Sequence, residues 1–163
     1  MGGRWNSPGR PVVYMAESVS LAVLENLVHM AKEDFPTGHV VITAVLPDGI
    51  VVLTAEQLVA QLGHTDQKTL GDQWVDLRLL SVLEVRSKIV SFEHSYLLNP
   101  HHPDFRGITA EPPVEFVFDE RLFGYPPIQS RTKAAKQQLR ILALRTLVIF
   151  RNLAVQVPSI LNF

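Results

Sequence analysis

Arg4, Tyr14 and Glu25 supply a cation, an aromatic face and a carboxylate close to the start of the chain. A guanidinium offers paired N–H donors to the oxygens of an anion such as phosphate, a fork that lysine cannot copy. An aromatic face can stack on a ring, and a carboxylate can stabilise positive charge that develops during a reaction. Each residue also has a plainer reading. Arg4 could cap a surface turn, and Tyr14 could be an ordinary core aromatic. Glu25 falls among the apolar residues Leu24, Leu27 and Val28, where a buried carboxylate without a partner is costly, and His29 stands four residues on. An i,i+4 helix pair of that kind contributes about 0.2–0.5 kcal/mol. Ser87 offers a hydroxyl, or is a plain strand serine. His101-His102-Pro103 with Asp104 offers metal-ligand types. Loop histidines without helical spacing are more often turn residues, and no metal is expected. The chain has no Gly-x-Ser-x-Gly elbow, no Gly-x-Gly-x-x-Gly and no Walker sequence, so neither a serine hydrolase nor a Rossmann cofactor site is indicated.

Positioning these residues requires a folded body, and the composition supports one. The 163 residues are 47% hydrophobic and 19% charged, which fits a single domain. At this size a chain buries roughly 68–70% of its extended surface, which excludes disorder throughout. The absence of Cys removes disulfide frameworks, thiolate nucleophiles and Cys-ligated zinc. The N-terminus lacks a signal-peptide pattern and no apolar run approaches the ~20 residues that span a bilayer, so a cytoplasmic setting is expected. All sixteen carboxylates lie at or before Glu120; residues 1–121 carry net −7 and residues 122–163 carry +6. The pattern is that of an acidic body with a basic tail.

Asn6-Ser7-Pro8-Gly9 is a turn between Arg4 and Tyr14, and Pro11–Ala16 suits a short strand. Ser18 to Lys32 reads as a helix. Residues 39–46 and 50–54 flank Pro47-Asp48-Gly49 and predict a hairpin. Short helices are predicted over residues 55–62 and 71–80, with strands over 81–91 and 114–118. The segment Asn99–Pro103 must be irregular. These elements make a mixed α+β body. Gly124-Tyr125-Pro126-Pro127 reads as a linker, and Lys133 to Val155 as a long basic amphipathic helix.

The blocks Gly2-Gly3-Arg4-Trp5-Asn6-Ser7-Pro8-Gly9-Arg10-Pro11-Val12-Val13-Tyr14, Leu24-Glu25-Asn26-Leu27-Val28-His29, Leu70-Gly71-Asp72-Gln73-Trp74, Val85-Arg86-Ser87 and Leu97-Leu98-Asn99-Pro100-His101-His102-Pro103-Asp104-Phe105 together resemble the RES-domain family, named for an Arg, a Glu and a Ser. The match runs in one order from residue 2 to about residue 122. What the resemblance implies is an ADP-ribosyltransferase-like α+β fold and a bacterial toxin that consumes NAD. The nicotinamide–ribose bond would be cleaved, with phosphate or water as acceptor, or a protein in some members. NAD would be a substrate, phosphate a co-substrate, and no cofactor is implied. Family partners are Xre-type antitoxins, so nucleic acid would be met only through the antitoxin; self-association as a homodimer stays open. Carried over residue by residue, Arg4, Glu25 and Ser87 are the catalytic candidates. Tyr14, Trp5, Asn6, His29 and Asn99 are the substrate-binding candidates. Glu25 is preferred to Glu17 because it sits in the Leu-Glu-x-Leu-Val-His block.

Three departures qualify the match. Arg86 stands where the family has Pro. The family carries some tens of residues before the Gly-Gly-Arg-Trp block, including a first strand and part of the site, so the backbone beside Val12-Val13-Tyr14 is expected to lack a partner and activity to be weak or absent. Beyond Phe123 the resemblance ends. The chain is therefore divided into a catalytic domain, residues 1–122, and an appended linker and helix, residues 123–163, expected to dock on the acidic body and to lie outside the site. Competing readings are protein ADP-ribosylation, or an inactive member acting only as an interaction protein.

Overall fold

A computed structural model describes residues 2–30, 38–63 and 65–123, and the backbone of residues 146–151. In chain order the regular elements are β1 (Val13–Ala16), α1 (Val19–Leu27), β2 (His39–Val45), β3 (Val52–Thr54), α2 (Ala55–Leu62), α3 (Gln67–Asp76), β4 (Val82–Arg86), β5 (His94–Leu98), β6 (Thr109–Ala110), β7 (Val114–Phe116) and β8 (Thr146–Arg151). This is a mixed α+β fold. The strands form one sheet in the order β3-β4-β5-β1-β8-β2-β6, with β7 also beside β2.

Local signals explain where the helices start. The Ser18 hydroxyl accepts the Leu21 N–H at 3.1 Å and opens α1. Thr54 and Gln57 form a reciprocal capping box at α2, which stops at Gly63 with φ 72°. Asp66 caps α3 by accepting the Thr69 N–H at 2.8 Å.

Strand register then decides which side chains meet. Tyr14 faces Leu97, which faces Leu83; Ala16 faces Ser95, which faces Val85. Residues directly opposite in an antiparallel ladder project to the same side, so these six share one face. Two apolar clusters occupy that face. Trp5, Leu58, Leu70, Trp74, Leu83 and Leu97 form one under α2 and α3. Ala16, Leu21, Ala22, Val23 and Phe118 form the other under α1. Met15, Val52, Val82, Tyr96 and Leu98 pack on the opposite face of the sheet.

Two readings of the sequence are corrected. The hairpin over residues 39–54 does not form: β2 pairs with β6, β7 and β8, while β3 pairs parallel with β4 at the far edge. Pro47-Asp48-Gly49 still turns the chain, with an Ile50 N–H to Pro47 carbonyl bond of 3.3 Å and Gly49 at φ 81°. Turn residues specify a reversal, but the partner of a strand is set by burial, and Val52 and Leu53 are buried on opposite faces of the sheet.

The second correction concerns the helix expected over residues 133–155. Thr146–Arg151 is strand β8, parallel to β2 from Val40↔Thr146 to Val45↔Arg151 and touching β1 at Ala16↔Ile149. Thr146, Val148, Ile149 and Phe150 are β-formers, and periodicity cannot tell a short apolar run in a strand from one in a helix. The rest of that expected helix and the linker at 124–127 lie outside the described residues. β8 also meets β1 at Ala16, beyond the Val12-Val13-Tyr14 stretch expected to lack a partner, and among the described residues Val13 and Tyr14 pair with β5 alone.

Truncation after Phe123 removes the strand that joins β1 to β2 and leaves both with unpaired backbone groups. The truncated chain is expected to melt at a lower temperature than the full chain, or without a cooperative transition. Circular dichroism melts of the two checks this, and coincident curves would show that β8 is dispensable.

Candidate functional site

A cleft of about 1000 Å³ opens where the two clusters on that sheet face fail to meet. Its floor includes Tyr14, Ala16 and Ser95, one wall is the loop Gly2–Asn6, and the other wall is α1 and the turn after it. Ala22, Glu25, Asn26 and His29 line that second wall because three- and four-residue spacing puts them on one helix face.

The loop that carries Arg4 is held from below. Trp5 is buried in the core, and its backbone N–H donates to the Tyr14 hydroxyl oxygen at 3.0 Å. The Tyr14 hydroxyl in turn donates to Asn6 Oδ1 at 2.7 Å, and Asn6 Nδ2 donates to the Arg10 carbonyl at 2.6 Å. The Asp72 carboxylate on α3 accepts the Ser7 N–H at 2.7 Å and the Ser7 hydroxyl at 2.6 Å. Arg10 grips Asp76 in a fork, with N–O distances of 2.8–3.0 Å. Gly71 lies directly against the Trp5 carbonyl, so a Cβ at that position would overlap it. Thus Trp5 and Asn6 border the cleft but are themselves buried, whereas Arg4 is exposed and makes no hydrogen bond or ion pair among the described residues.

Tyr14 is 39% exposed and lines the cleft while its hydroxyl is bonded on both sides. Burial pushes its pKa above the ordinary 10.0, against smaller opposing effects of the Trp5 N–H and the Arg4 charge.

The partner of Glu25 is Ser87, 62 positions away, and no bond to His29 forms. The Ser87 oxygen accepts the N–H groups of Ile89 at 3.1 Å and Val90 at 3.2 Å, and its proton is directed to Glu25 Oε1 at 3.1 Å. Ser87 is buried and does not line the cleft. Its link to the cleft is the hydrogen bond to Glu25, which does line it. His29 lines the cleft and is exposed. Asn99 lies elsewhere: fully buried, it donates to the Val75 carbonyl at 3.3 Å and accepts the His101 N–H at 3.0 Å, so its visible work is to close the turn after β5. Glu17 accepts the His94 N–H at 2.8 Å and does not line the cleft, in contrast to Glu25.

Nothing in the sequence marks Asp72 and Gly71 as supports of the site, although both fall in the Leu70–Trp74 block. Helical spacing cannot show that their side of α3 supports a loop 65 positions away. Ser95 lines the floor with no motif around it to signal the fact. The lining holds the guanidinium residues Arg4, Arg10 and Arg86, and Glu25 is the acidic residue among them. With Arg10 committed to Asp76 and Arg86 only loosely set against Glu56 at 3.6 Å, the cleft favours an anionic ligand.

A model of the RES domain matches residues 1–119. The chain belongs to the RES-domain family. Among relatives of this RES domain, a protein named Toxin Res from Pseudomonas putida is 40% identical over 130 residues, covering 76% of this chain and 87% of its own. Another Toxin Res, from Photorhabdus laumondii, is 36% identical over 127 residues, covering 74% and 81%. The Prs ADP-ribosylating toxin of a Sphingobium species is 33% identical over 129 residues, covering 74% and 80%. Among the described residues no helix is long and apolar enough to cross a membrane.

Two outcomes follow from the geometry of this RES domain. Replacing Gly71 by Ala forces the Trp5 carbonyl to move, and overpacking of this kind costs about 1–3 kcal/mol. Thermal melts of Gly71→Ala are expected to show that loss, together with weaker ligand binding as the Arg4 loop shifts; an unchanged melt would contradict the contact. The second outcome concerns alkaline pH. Burial raises the pKa of Tyr14, and that of Tyr96 more strongly, so folding stability contributed by these protonated phenols is complete below about pH 10 and is lost as pH climbs through their raised folded values. Denaturant titrations between pH 9 and 12 should show stability falling, with a shallower fall in Tyr96→Phe.

Proposed function

We propose that this RES domain binds NAD as a substrate in the cleft and breaks the bond between nicotinamide and ribose. The observation that carries the reading is the convergence of Arg4, Tyr14 and Glu25, from a loop, a strand and a helix, on one cleft, with Glu25 held by Ser87. Nicotinamide leaves a pyridinium as a neutral molecule, because the electrons of the breaking bond return to its ring nitrogen. No general acid is required. The barrier is the oxocarbenium-like ribose left behind, and a carboxylate oriented before the reaction lowers it without reorganisation. In this reading Glu25 faces C1′, Arg4 binds the diphosphate and Tyr14 stacks on the nicotinamide ring. Phosphate or water then adds to C1′ and gives up a proton. ADP-ribosyltransferase-like chemistry on a protein is the second reading, favoured by the name of the Sphingobium relative. In either case the biological outcome is toxicity, by NAD depletion in the first, in keeping with the toxin names of its relatives, and an Xre-type antitoxin is the partner that the resemblance to the RES family implies.

Incubation with NAD, with and without inorganic phosphate, followed by separation of products tests the proposal. Nicotinamide with ADP-ribose 1-phosphate indicates phosphorolysis, plain ADP-ribose indicates hydrolysis, and labelled protein indicates transfer. Arg4→Ala and Glu25→Ala are expected to lower the rate by about 100-fold or more, the loss usual when a preorganised charge is removed. Ser87→Ala should cost roughly tenfold, as loss of one hydrogen bond to a charged group would. An active wild type whose Arg4→Ala and Glu25→Ala variants keep the full rate would overturn the assignment.

A further inference from the structure

The floor of the cleft holds a polar atom that the mechanism above does not use. Ser95 lies in β5 between Ala16 and Val85, on the face that carries both apolar clusters. Val85 belongs to the cluster under α2 and α3, and Ala16 to the cluster under α1. Ser95 belongs to neither. It lines the cleft, is half-buried, and its hydroxyl makes no hydrogen bond among the described residues. The other hydroxyls nearby are committed: that of Tyr14 to Trp5 and Asn6, that of Ser87 to Glu25 and its own turn.

Register fixes the position of Ser95. Leu97, opposite Tyr14, is two residues in one direction along β5. Glu93, whose carbonyl accepts the Ser87 N–H, is two residues in the other. Each step of two residues is about 7 Å along a strand. Ser95 therefore stands midway between the rung of the aromatic face and the rung that anchors the carboxylate. Its neighbours Ala16 on the floor and Ala22 on the wall are small, which leaves width for a ring at that level. With nicotinamide on Tyr14 and the ribose bonded to it through a C1′ that faces Glu25, the ribose ring falls at the level of Ser95.

We propose that the Ser95 hydroxyl is a substrate-binding group that hydrogen-bonds the hydroxyls of the nicotinamide ribose. The proposal rests on the reading of the cleft as an NAD site. A half-buried hydroxyl in an open cleft bonds water in the free protein and exchanges it for the ribose hydroxyls on binding, and a substrate lacking those hydroxyls leaves it unsatisfied.

The test is equilibrium binding of carbocyclic NAD, which keeps the ribose hydroxyls and does not react, and of the same compound without those two hydroxyls. Ser95→Ala should weaken binding of the first roughly three- to tenfold. It should leave binding of the second unchanged, with the melting temperature of the variant equal to that of the wild type. Equal affinity of wild type and Ser95→Ala for carbocyclic NAD would overturn the Ser95 assignment and leave the NAD site standing. Equal loss for both compounds would overturn it too, since the hydroxyl would then act on something other than the ribose. A wild type that neither binds carbocyclic NAD nor consumes NAD would remove the NAD reading and the Ser95 proposal with it.

Discussion

The burial of Trp5 in the core, with its carbonyl pressed onto Gly71 of α3, is the constraint from which the site follows. A large aromatic ring in the interior fixes the chain on either side of it to within a fraction of its own size, because interiors are packed like crystals. Arg4 stands one residue before that anchor and is exposed; Asn6 stands one residue after it and reaches both Tyr14 and Arg10. An arginine side chain has about 2 kcal/mol of rotamer entropy to lose. Fixing its backbone beforehand leaves only the side chain to order when an anion arrives. The bonds from Asp72 to Ser7 and from Arg10 to Asp76 serve the same end from the surface of α3.

The opposite wall is organised by a different device. Glu25 projects from a helix whose buried residues are Leu21, Ala22 and Val23, and its orientation is set from just beyond β4 by a hydroxyl whose acceptor side is already satisfied. Such a hydroxyl has one proton and one direction left in which to offer it, which makes it a better guide for a carboxylate than a freely rotating serine. The two walls rest on separate apolar clusters, and the cleft is the seam between them. Short side chains at the seam keep it open.

The body around this cleft is acidic, at net −7 over residues 1–121, yet the cleft itself carries more guanidinium than carboxylate groups. At physiological ionic strength charges separated by more than about 8 Å are largely screened, so a ligand in the cleft responds to the local arginines and not to the net charge. Composition alone would have pointed to a cationic partner. Only the placement of Arg4, Arg10 and Arg86 on one surface reverses that inference.

The chemistry-bearing residue types, the family, the mixed α+β class and the starts of α1 and α2 were legible in the sequence, because each depends on neighbours a few positions apart: Ser18 before Val19, Thr54 before Gln57, the Gly-Gly-Arg-Trp block itself. What the tertiary structure decided are pairings across long separations. Glu25 found Ser87 and not the nearby His29; Ser7 found Asp72; β2 turned away from β3; and residues read as the end of a helix became the strand between β1 and β2. Helix caps and turns draw their energy from local hydrogen bonds, so local sequence specifies them. Strand partners and buried hydrogen bonds are chosen by the burial of whole faces at once, and no window of sequence holds both members of the pair.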